Sequence, residues 1–391
     1  MYEWVIIGGG IQGVTLAVFL LKTGKTKVDK LAIIDRNHEP LANWKRNTKI
    51  ISMPYLRSPA VHHIDVAPFS LHSFVKKGYY KESTAFYGKY KRPSLELFND
   101  HCEHLVNDLS LKSSWVHGHV QKAFKIKDGW QLQLENGREI RGKKLVLAIG
   151  IGEQLNMPDW AMDLDRKSPT RVYHIFDKTM PDFDSLELPI TIVGGGISSI
   201  HAVLKLSELY PSQVTLLKRH SFRIHDFDSD PGWLGPKRQT AFHKEGNYVN
   251  RREAIINARN RGSIPHDLYI KVLNRVKRKS LAVEEGEVVR GEEKNGRVYL
   301  YDKDDKMIVK TGTVLLATGF LPSLPGSDWI KPMIEKMELP CAECGYPIVS
   351  KALQWGPDLY VVGALAELEM GPIARNISGA RQAAERIVNY L

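Results

Sequence analysis

The same short pattern occurs twice in this sequence, as VIIGGGIQGV at residues 5–14 and as TIVGGGISSI at residues 191–200. In each copy a short apolar run leads into three glycines, and apolar residues then recur at helical spacing. This order is typical of a buried strand, a tight turn and a helix that begins a βαβ unit. Two such units predict an α/β chain with two Rossmann-like dinucleotide-binding domains.

The first copy has the spacing of a dinucleotide-binding turn. Gly8 permits the turn, Gly10 lets the backbone approach a pyrophosphate, and Gly13 lets the helix pack closely on the strand. The next strand ends in Asp35, about 20 residues further on, where a carboxylate can accept hydrogen bonds from a ribose. Arg36 is the one basic residue beside that position. These residues favour the adenosine half of FAD, and the alternative is a structural turn without cofactor.

The second copy differs in charge. Gly194 and Gly196 are its turn glycines, and Ser199 replaces the third glycine, which predicts slightly wider packing and a hydroxyl near the phosphates. The following strand ends in Lys218 and Arg219 instead of an acid. A carboxylate would repel a 2′-phosphate, whereas these cations would bind it. The pattern favours NADPH, and the alternative is a solvated basic pair. A chain that binds both cofactors would pass a hydride from nicotinamide to flavin.

The chain is long enough for more than one domain. It has 391 residues, of which 43% are hydrophobic and 25% charged, an ordinary composition for a globular protein. We expect residues 1–167 and 312–391 to form the FAD domain and residues 168–311 an inserted NADPH domain. A terminal helix would begin around Gly371 and Pro372, with its N-terminus towards the flavin.

Charge and hydropathy limit the choice of partners. The net charge is +11, but only residues 271–279 (KVLNRVKRK) form a dense basic run. We expect a solvated helix face there, with Val272, Leu273 and Val276 turned inward, and no nucleic-acid partner. The longest apolar stretch near the start, Val14 to Leu21, is too short to cross a bilayer, and no leader precedes the first strand. These features predict a cytoplasmic protein without a membrane partner. The oligomeric state stays open.

Cysteine and acidic residues offer weaker signals. The three cysteines exclude a disulfide framework, and Cys341 and Cys344 form CAEC in an irregular stretch, so an incidental loop pair is favoured over a redox-active dithiol. HDFDSDPG begins as a calcium loop does, but its glycine stands at the wrong position, and Lys237 occupies the place of the final acidic ligand. No metal site is expected.

Together these motifs resemble the two-dinucleotide-binding-domain flavoproteins, and among them the class B flavin monooxygenases. GGGIQG at 8, GGGISS at 194 and LLATGF at 315, which contains Gly319, carry the resemblance. Two stretches are similar to the N-hydroxylating branch, which includes lysine and ornithine monooxygenases. They are NTKIISMPYLRSPAVHHIDVAPFSLHSFVKKGYY at residues 47–80 and RHSFRIHDFDSD at residues 219–230. That similarity implies that Trp44 and Met53 lie near the flavin. It also implies that Arg57, which stands where the branch has a lysine, contacts the substrate.

The resemblance implies an NADPH-dependent monooxygenase. Reduced FAD would combine with oxygen as a C4a-peroxyflavin, which would oxygenate a small amine or another soft nucleophile. Small-molecule substrate and oxygen would be the partners, and no catalytic side chain is singled out. One alternative is a reductase that passes electrons to a disulfide, a quinone or an electron-carrier protein. Another is a sensor that binds the cofactors without turnover.

Overall fold

The computed structural model describes residues 1–391, apart from the side chain of Tyr79. Its strands, in chain order, are β1 (Tyr2–Ile7), β2 (Leu31–Asp35), β3 (Phe86–Tyr87), β4 (Arg92–Pro93), β5 (Trp115–His117), β6 (Val120–Ile126), β7 (Gly129–Leu134), β8 (Glu139–Leu147), β9 (Val172–His174), β10 (Ile190–Val193), β11 (Val214–Lys218), β12 (Arg223–Ile224), β13 (Ser263–Ile264), β14 (Ala282–Glu285), β15 (Arg290–Lys294), β16 (Arg297–Tyr301), β17 (Met307–Thr311), β18 (Thr313–Leu316), β19 (Gln354–Gly356) and β20 (Leu359–Val361).

The α-helices pack on the faces of the sheets or cover their ends. They are α1 (Ile11–Lys22), α2 (Ala42–Ile50), α3 (Ser70–Phe74), α4 (Glu82–Ala85), α5 (Leu95–Asp108), α6 (Asp159–Lys167), α7 (Ile197–Leu209), α8 (Pro236–Lys244), α9 (Tyr248–Ala258), α10 (His266–Lys277), α11 (Ser327–Met337), α12 (Glu367–Met370) and α13 (Ile377–Asn389). None of the helices in the described part of the chain is long and apolar enough to cross a membrane.

The first sheet has the strand order β19-β20-β8-β1-β2-β5, with β6 and β7 attached beside β8. The pairs β20–β8, β8–β1, β1–β2 and β2–β5 are parallel. Apolar residues of β1 and β2 are buried because helices cover both faces of a parallel sheet. Helix α1 packs against the terminal helix α13 on one of these faces. This sheet combines strands from both ends of the chain.

The second sheet has the order β14-β11-β10-β18-β9, and each of its pairs is parallel. Its strands lie between residues 172 and 316, so the chain leaves the first sheet after β8 and returns to it at β19. Each sheet has its own cluster of buried apolar side chains. The predicted α/β fold with one Rossmann-like unit inserted into another is therefore confirmed.

The predicted domain limits need correction. Strand β18 pairs with β10 and β9, so residues 313–316 belong to the second sheet rather than to the returning FAD domain. Helix α6 packs its buried Trp160 and Leu164 against strands of the second unit. The second unit is therefore longer at both ends than residues 168–311. The pattern of the chain did not reveal this because pairing between distant strands fixes these limits.

Two predicted helical features also differ. The terminal helix begins at Ile377, and Gly371–Arg375 forms a short 3₁₀ turn before it, with Gly371 at φ 75°. On α10, Val272 is buried as expected, but Leu273 and Val276 are 42% and 38% exposed. The basic run therefore lies on a helix that contacts the rest of the protein over a narrower face than its sequence predicts.

Candidate functional site

The first glycine-rich turn lies at the carboxyl edge of the first sheet. An ideal Cβ on Gly8 would lie 2.5 Å from the Ala148 oxygen, and one on Gly13 would lie 1.9 Å from the Gly8 oxygen. Nothing lies within 4 Å of an ideal Cβ on Gly10. Gly8 and Gly13 are therefore required by close packing, whereas Gly10 borders open space.

That open space adjoins the N-terminus of α1. Gly10 is the N-cap residue, no side chain caps the helix, and its first turn carries no acidic residue. The first N–H groups of a helix attract an anion when no side chain satisfies them. The turn therefore fits a pyrophosphate, although the role of Gly8, Gly10 and Gly13 in cofactor binding stays a prediction.

Asp35 is held against the turn by backbone contacts. Its Oδ2 accepts a hydrogen bond from the Gly9 N–H at 2.7 Å. Its Oδ1 accepts from the Asn37 N–H and Nδ2 at 2.7 and 2.8 Å. A carboxylate offers about four acceptor positions, so one remains for a ribose hydroxyl. Asp35 thus shapes the turn as well as being a candidate for contact with the adenosine.

The first turn and the residue after Asp35 contact three side chains that the sequence did not single out: His119, Glu153 and Trp115. Arg36 forms an ion pair with Glu153 and a hydrogen bond with the ring of His119. An ideal Cβ on Gly9 would lie 1.9 Å from the ring of Trp115, so the turn rests on that indole. The adjacent glycines were the one sequence signal for such close contact.

Helix α1 has an unsatisfied buried acceptor in its first turn, next to the glycine-rich turn. Gln12 donates through Nε2 to the Ala374 oxygen at 3.0 Å, and its buried Oε1 has no hydrogen-bond partner among the described residues. Gly363, at φ 68°, follows β20, and an ideal Cβ there would lie 3.0 Å from Gln12 Cγ. A donor on a bound ligand would satisfy Oε1. Sequence reasoning missed both residues, although a glycine after a buried strand was a signal for Gly363.

Trp44 and Met53 occupy different positions. The Trp44 indole donates to Asn99 Oδ1 at 3.0 Å and packs against Phe98. It therefore lies at the edge of the apolar core of the first domain. Met53 packs against the core clusters of both domains. Met53 therefore lies where the two domains meet, and the flavin contact implied for either residue stays a prediction.

The second turn repeats the geometry of the first. Gly194 has φ 146°, and an ideal Cβ there would lie 2.6 Å from the Ala317 oxygen. Gly196 is the N-cap of α7, and no side chain caps that helix. Ser199 is buried and donates its hydroxyl to the Gly196 oxygen at 2.6 Å. This hydroxyl thus donates its proton within the turn, and its contact with the phosphates stays a prediction.

The two cations at the end of β11 are not equivalent. Lys218 is 7% exposed and its Nζ forms an ion pair with Glu285 of β14. Lys218 holds the pKa of the Glu285 carboxyl below its usual range. Arg219 is exposed and has no hydrogen bond or ion pair with any described residue. Lys218 is therefore already paired, whereas Arg219 is free for a 2′-phosphate; the contact of either residue with NADPH stays a prediction.

Two further arginines lie beside this turn. Arg223 of β12 and Arg261 before β13 are both exposed, and Arg223 Nη1 donates to the Arg261 oxygen at 3.4 Å. Strands β12 and β13 pair with each other, which brings residues distant in sequence together. An ideal Cβ on Gly196 would lie 3.6 Å from Gly262, so this pair borders the turn. No sequence motif predicted this pairing.

Arg57 connects the two domains. Its Nε donates to the Asp226 oxygen at 3.0 Å, and its Nη2 donates to the oxygens of His225 and Phe227 and to Ser263 Oγ. Burial lowers the pKa of the guanidinium. The protein thus occupies the Nε and Nη2 donors, whereas Nη1 has only a 3.5 Å contact with the Ser263 oxygen. The substrate contact implied for Arg57 stays a prediction.

Gly319 lies where the chain passes between domains. It has φ 82°, and nothing lies within 4 Å of an ideal Cβ. Its oxygen accepts from the Asn156 N–H and lies 3.0 Å from His174 Nε2. Burial lowers the pKa of His174 to about 4, so the ring is neutral at pH 7 and can donate this bond through Nε2. The contact of Gly319 with a cofactor stays a prediction.

Gly371 and Pro372 support the wall of a cavity. An ideal Cβ on Gly371 would lie 3.3 Å from the Trp233 ring, and the Pro372 oxygen accepts from Arg259 at 2.8 Å. Trp233 lines a cavity of about 580 Å³, whose polar lining includes Asp226, Asp230, Asn257 and Asn260. The two residues therefore support this cavity instead of forming the predicted helix N-terminus.

The cysteine pair has no features of an activated thiol. Cys341 is half-buried and burial raises its pKa, whereas Cys344 is exposed. A reactive cysteine requires the opposite shift. Across the described residues, no group of three or more histidine, cysteine, aspartate or glutamate side chains is arranged to hold a metal ion.

Comparison with known proteins agrees with this geometry. Residues 5–152 match the model of a family described as FAD-NAD(P)-binding. No curated protein matches the sequence. The fold is similar to the FAD-bound cadaverine monooxygenase of the desferrioxamine pathway from Erwinia amylovora, with 14% identity, a TM-score of 0.76, and 100% of this chain and 94% of that chain covered.

Two other solved structures cover both chains almost completely. Ornithine hydroxylase from Pseudomonas aeruginosa has 15% identity and a TM-score of 0.74, with 100% of this chain and 98% of that chain covered. Bacillithiol disulfide reductase from Staphylococcus aureus has 15% identity and a TM-score of 0.61, with the same coverage. At these identities the likeness establishes the fold and not the substrate. Residues 5–152 thus match a family described as FAD-NAD(P)-binding, and the whole chain has a fold similar to that of flavin monooxygenases and flavoprotein disulfide reductases.

Proposed function

We propose that the protein is an FAD-containing, NADPH-dependent monooxygenase that oxygenates a small amine or another soft nucleophile. One observation carries the proposal: a single chain has two uncapped glycine-rich turns, each at the carboxyl edge of its own parallel sheet. Such edges are where nucleotides bind in open α/β sheets. The fold likeness to the cadaverine and ornithine enzymes supports the same proposal.

FAD suits the first turn and NADPH the second. Asp35 retains one acceptor position for a ribose, and Gln12 Oε1 needs a donor. At the second turn, the planar guanidinium of Arg219 can donate two hydrogen bonds to a 2′-phosphate. Once bound, the cofactors supply hydride transfer and oxygen activation, so the protein groups bind, orient and exclude water.

The cavity beside Gly371 is the proposed substrate site. Carboxylate and amide groups of Asp226, Asn257 and Asn260 offer acceptors to an amine, and Trp233 supplies an apolar wall. A volume of about 580 Å³ suits a small molecule. Because Arg57 gives its Nε and Nη2 donors to the protein, few of its donors remain for a substrate carboxylate. The proposal therefore favours an amine recognised through acceptors.

A product assay tests this function directly. The FAD-loaded protein would be given NADPH, oxygen and a panel of small amines, and hydroxylated amine and hydrogen peroxide would both be quantified. Without a substrate, we expect NADPH oxidation to release hydrogen peroxide. With the right amine, we expect NADPH oxidation to yield hydroxylated amine instead. Rapid mixing of the reduced protein with oxygen would separately test the C4a-peroxyflavin step. Cofactor binding with no turnover of any kind would favour a sensor.

A reductase is the second candidate, because the fold likeness extends to a bacillithiol disulfide reductase. Cys341 and Cys344 are the available dithiol, although burial raises the Cys341 pKa. Replacing both cysteines by serine should leave NADPH oxidation unchanged if the monooxygenase proposal is right. Loss of disulfide reduction in that variant would establish the reductase instead.

A further inference from the structure

A second cavity lies away from both glycine-rich turns. It has a volume of about 420 Å³ and lies between α7 and α10, with Ser52 and Pro54 of the first domain completing its wall. The α7 residues that line it run from His201 to Glu208, along the side of the helix and not at its N-terminus. The cavity is therefore separate from the proposed NADPH site and contacts both domains.

The lining of this cavity is strongly basic. Lys205 and Arg278 have no carboxylate partner among the described residues, and Lys271 contacts the Tyr87 ring at 5.6 Å. Arg275 is paired with Glu208 at 3.2 Å, and Glu208 is the only acidic residue among those that line the cavity. The basic run of residues 271–279 thus supplies cations to a concave site.

A buried unpartnered group also lines the cavity. His201 is 5% exposed, and its Nε2 has no hydrogen-bond partner within the part of the chain that the structure describes. Burial, and next the nearby Lys271, lower the pKa of His201 to about 4, so the ring is neutral at pH 7. A neutral imidazole can carry its proton on Nε2 and donate it. An orphaned buried group of this kind requires a partner.

We propose that this cavity binds a small molecule that bears phosphate groups. Three unpaired cations provide the charge, His201 provides a buried donor for a phosphate oxygen, and the volume suits a small ligand. Because Ser52 and Pro54 belong to one domain and α7 and α10 to the other, the ligand contacts both. This binding site requires neither the proposed substrate nor turnover.

Calorimetric titration with inorganic tripolyphosphate tests the proposal. The FAD-loaded protein would be saturated with NADP⁺ beforehand, so that the second glycine-rich turn is blocked. We expect binding of one equivalent to the native protein, and a loss of affinity of about tenfold when Lys205→Gln and Arg278→Gln are combined. His201→Phe should also weaken binding, with folding checked by circular dichroism.

A matched variant separates this site from general charge effects. Lys277→Gln with Lys279→Gln removes the same charge from exposed positions of the same segment that do not line the cavity. This control should bind tripolyphosphate with native affinity. Absence of binding, or equal losses in both double variants, would overturn the proposal. Complete displacement of tripolyphosphate by a short single-stranded oligonucleotide would also overturn the proposal, because it would assign the surface to nucleic acid.

Discussion

At the scale of single residues, the protein itself uses several of the side chains that the motifs assign to ligands. Asp35 accepts bonds from Gly9 and Asn37, Lys218 pairs with Glu285, and Arg57 donates to the loop of residues 225–227. A motif specifies the type of side chain at a position, but only the neighbours decide whether its donors and acceptors are free. Coenzyme preference therefore depends on the side chain that remains unpaired.

Arg219→Ala tests which cation recognises the 2′-phosphate. We expect its dissociation constant for NADPH to rise by about tenfold or more, because a charged hydrogen bond contributes about 1.5–3 kcal/mol, whereas NADH affinity should not change. Fluorescence titration with both coenzymes measures this. Lys218→Ala is the comparison variant. It leaves Glu285 without its ion-pair partner, so we expect it to lower the melting temperature of the protein. Equal losses for NADPH and NADH in Arg219→Ala would contradict the assignment.

Arg57→Lys tests the role of the interdomain guanidinium. Lysine keeps the charge but cannot reproduce a planar fork that donates to several oxygens. We expect the free energy of unfolding to fall by about 1–3 kcal/mol, as measured by urea denaturation of the FAD-loaded protein. Arg219→Lys, at an exposed position, is the matched control and should not alter stability. Native stability with weaker substrate binding in Arg57→Lys would restore Arg57 as a substrate ligand.

At the scale of elements, the two turns distinguish glycines required for folding from a glycine required for ligand approach. Gly13 has no room for a Cβ, since that atom would lie 1.9 Å from the Gly8 oxygen. Gly10 has extended backbone angles and open space around it. The same sequence motif therefore contains two different physical requirements.

Gly10→Val should give a folded protein without flavin. Its backbone angles suit valine, and the added side chain would occupy the space proposed for the pyrophosphate. Gly13→Ala should instead reduce the yield of folded protein. The absorbance of bound flavin and the melting temperature measure the two effects. A yellow, fully loaded Gly10→Val protein would show that the pyrophosphate lies elsewhere.

Sequence patterns predicted elements well where the signal was local. The strands before Gly8 and Gly194, and the turns and helices that follow them, were predictable from nearby residues. Pairing between distant segments was not predictable, so the membership of β18 in the second sheet and the contact of Arg223 with Arg261 were missed. The start of α13 was misplaced, because Gly371 adopts a positive φ in a 3₁₀ turn where a helix N-terminus was expected.

At the scale of the whole molecule, charged side chains fasten the second unit to the first. Arg252 of α9 and Arg375 both contact the carboxylate of Glu367, which is 1% exposed. Arg251 of α9 contacts Glu369 at 3.5 Å. Truncating one partner of such a buried pair leaves an uncompensated charge. The segment around α9 is therefore held to the first domain by interactions that resist local opening.

Buried neutral histidines should dominate the response of the molecule to mild acid. Burial is the main cause that lowers the pKa of His62, His63, His174 and His201 to about 4, and that of His101 to about 3. In the unfolded chain each would titrate near 6.5. The unfolded state therefore binds more protons than the folded state between these values. Stability is fully present above pH 6.5 and is lost as the pH falls towards 4.

Urea denaturation at several pH values between 6.5 and 5 tests this expectation. Above pH 5 most Asp and Glu side chains are ionised even in the unfolded chain, so the histidines dominate the slope in this window. Each of these histidines adds about 1.4 kcal/mol per pH unit to the slope of the free energy of unfolding against pH. His201→Phe should reduce the slope by about that amount, whereas His266→Phe, at an exposed position, should leave it unchanged. A native protein whose stability is constant across this window would mean that protons reach these rings without unfolding, and that the buried side chains are accessible through local opening.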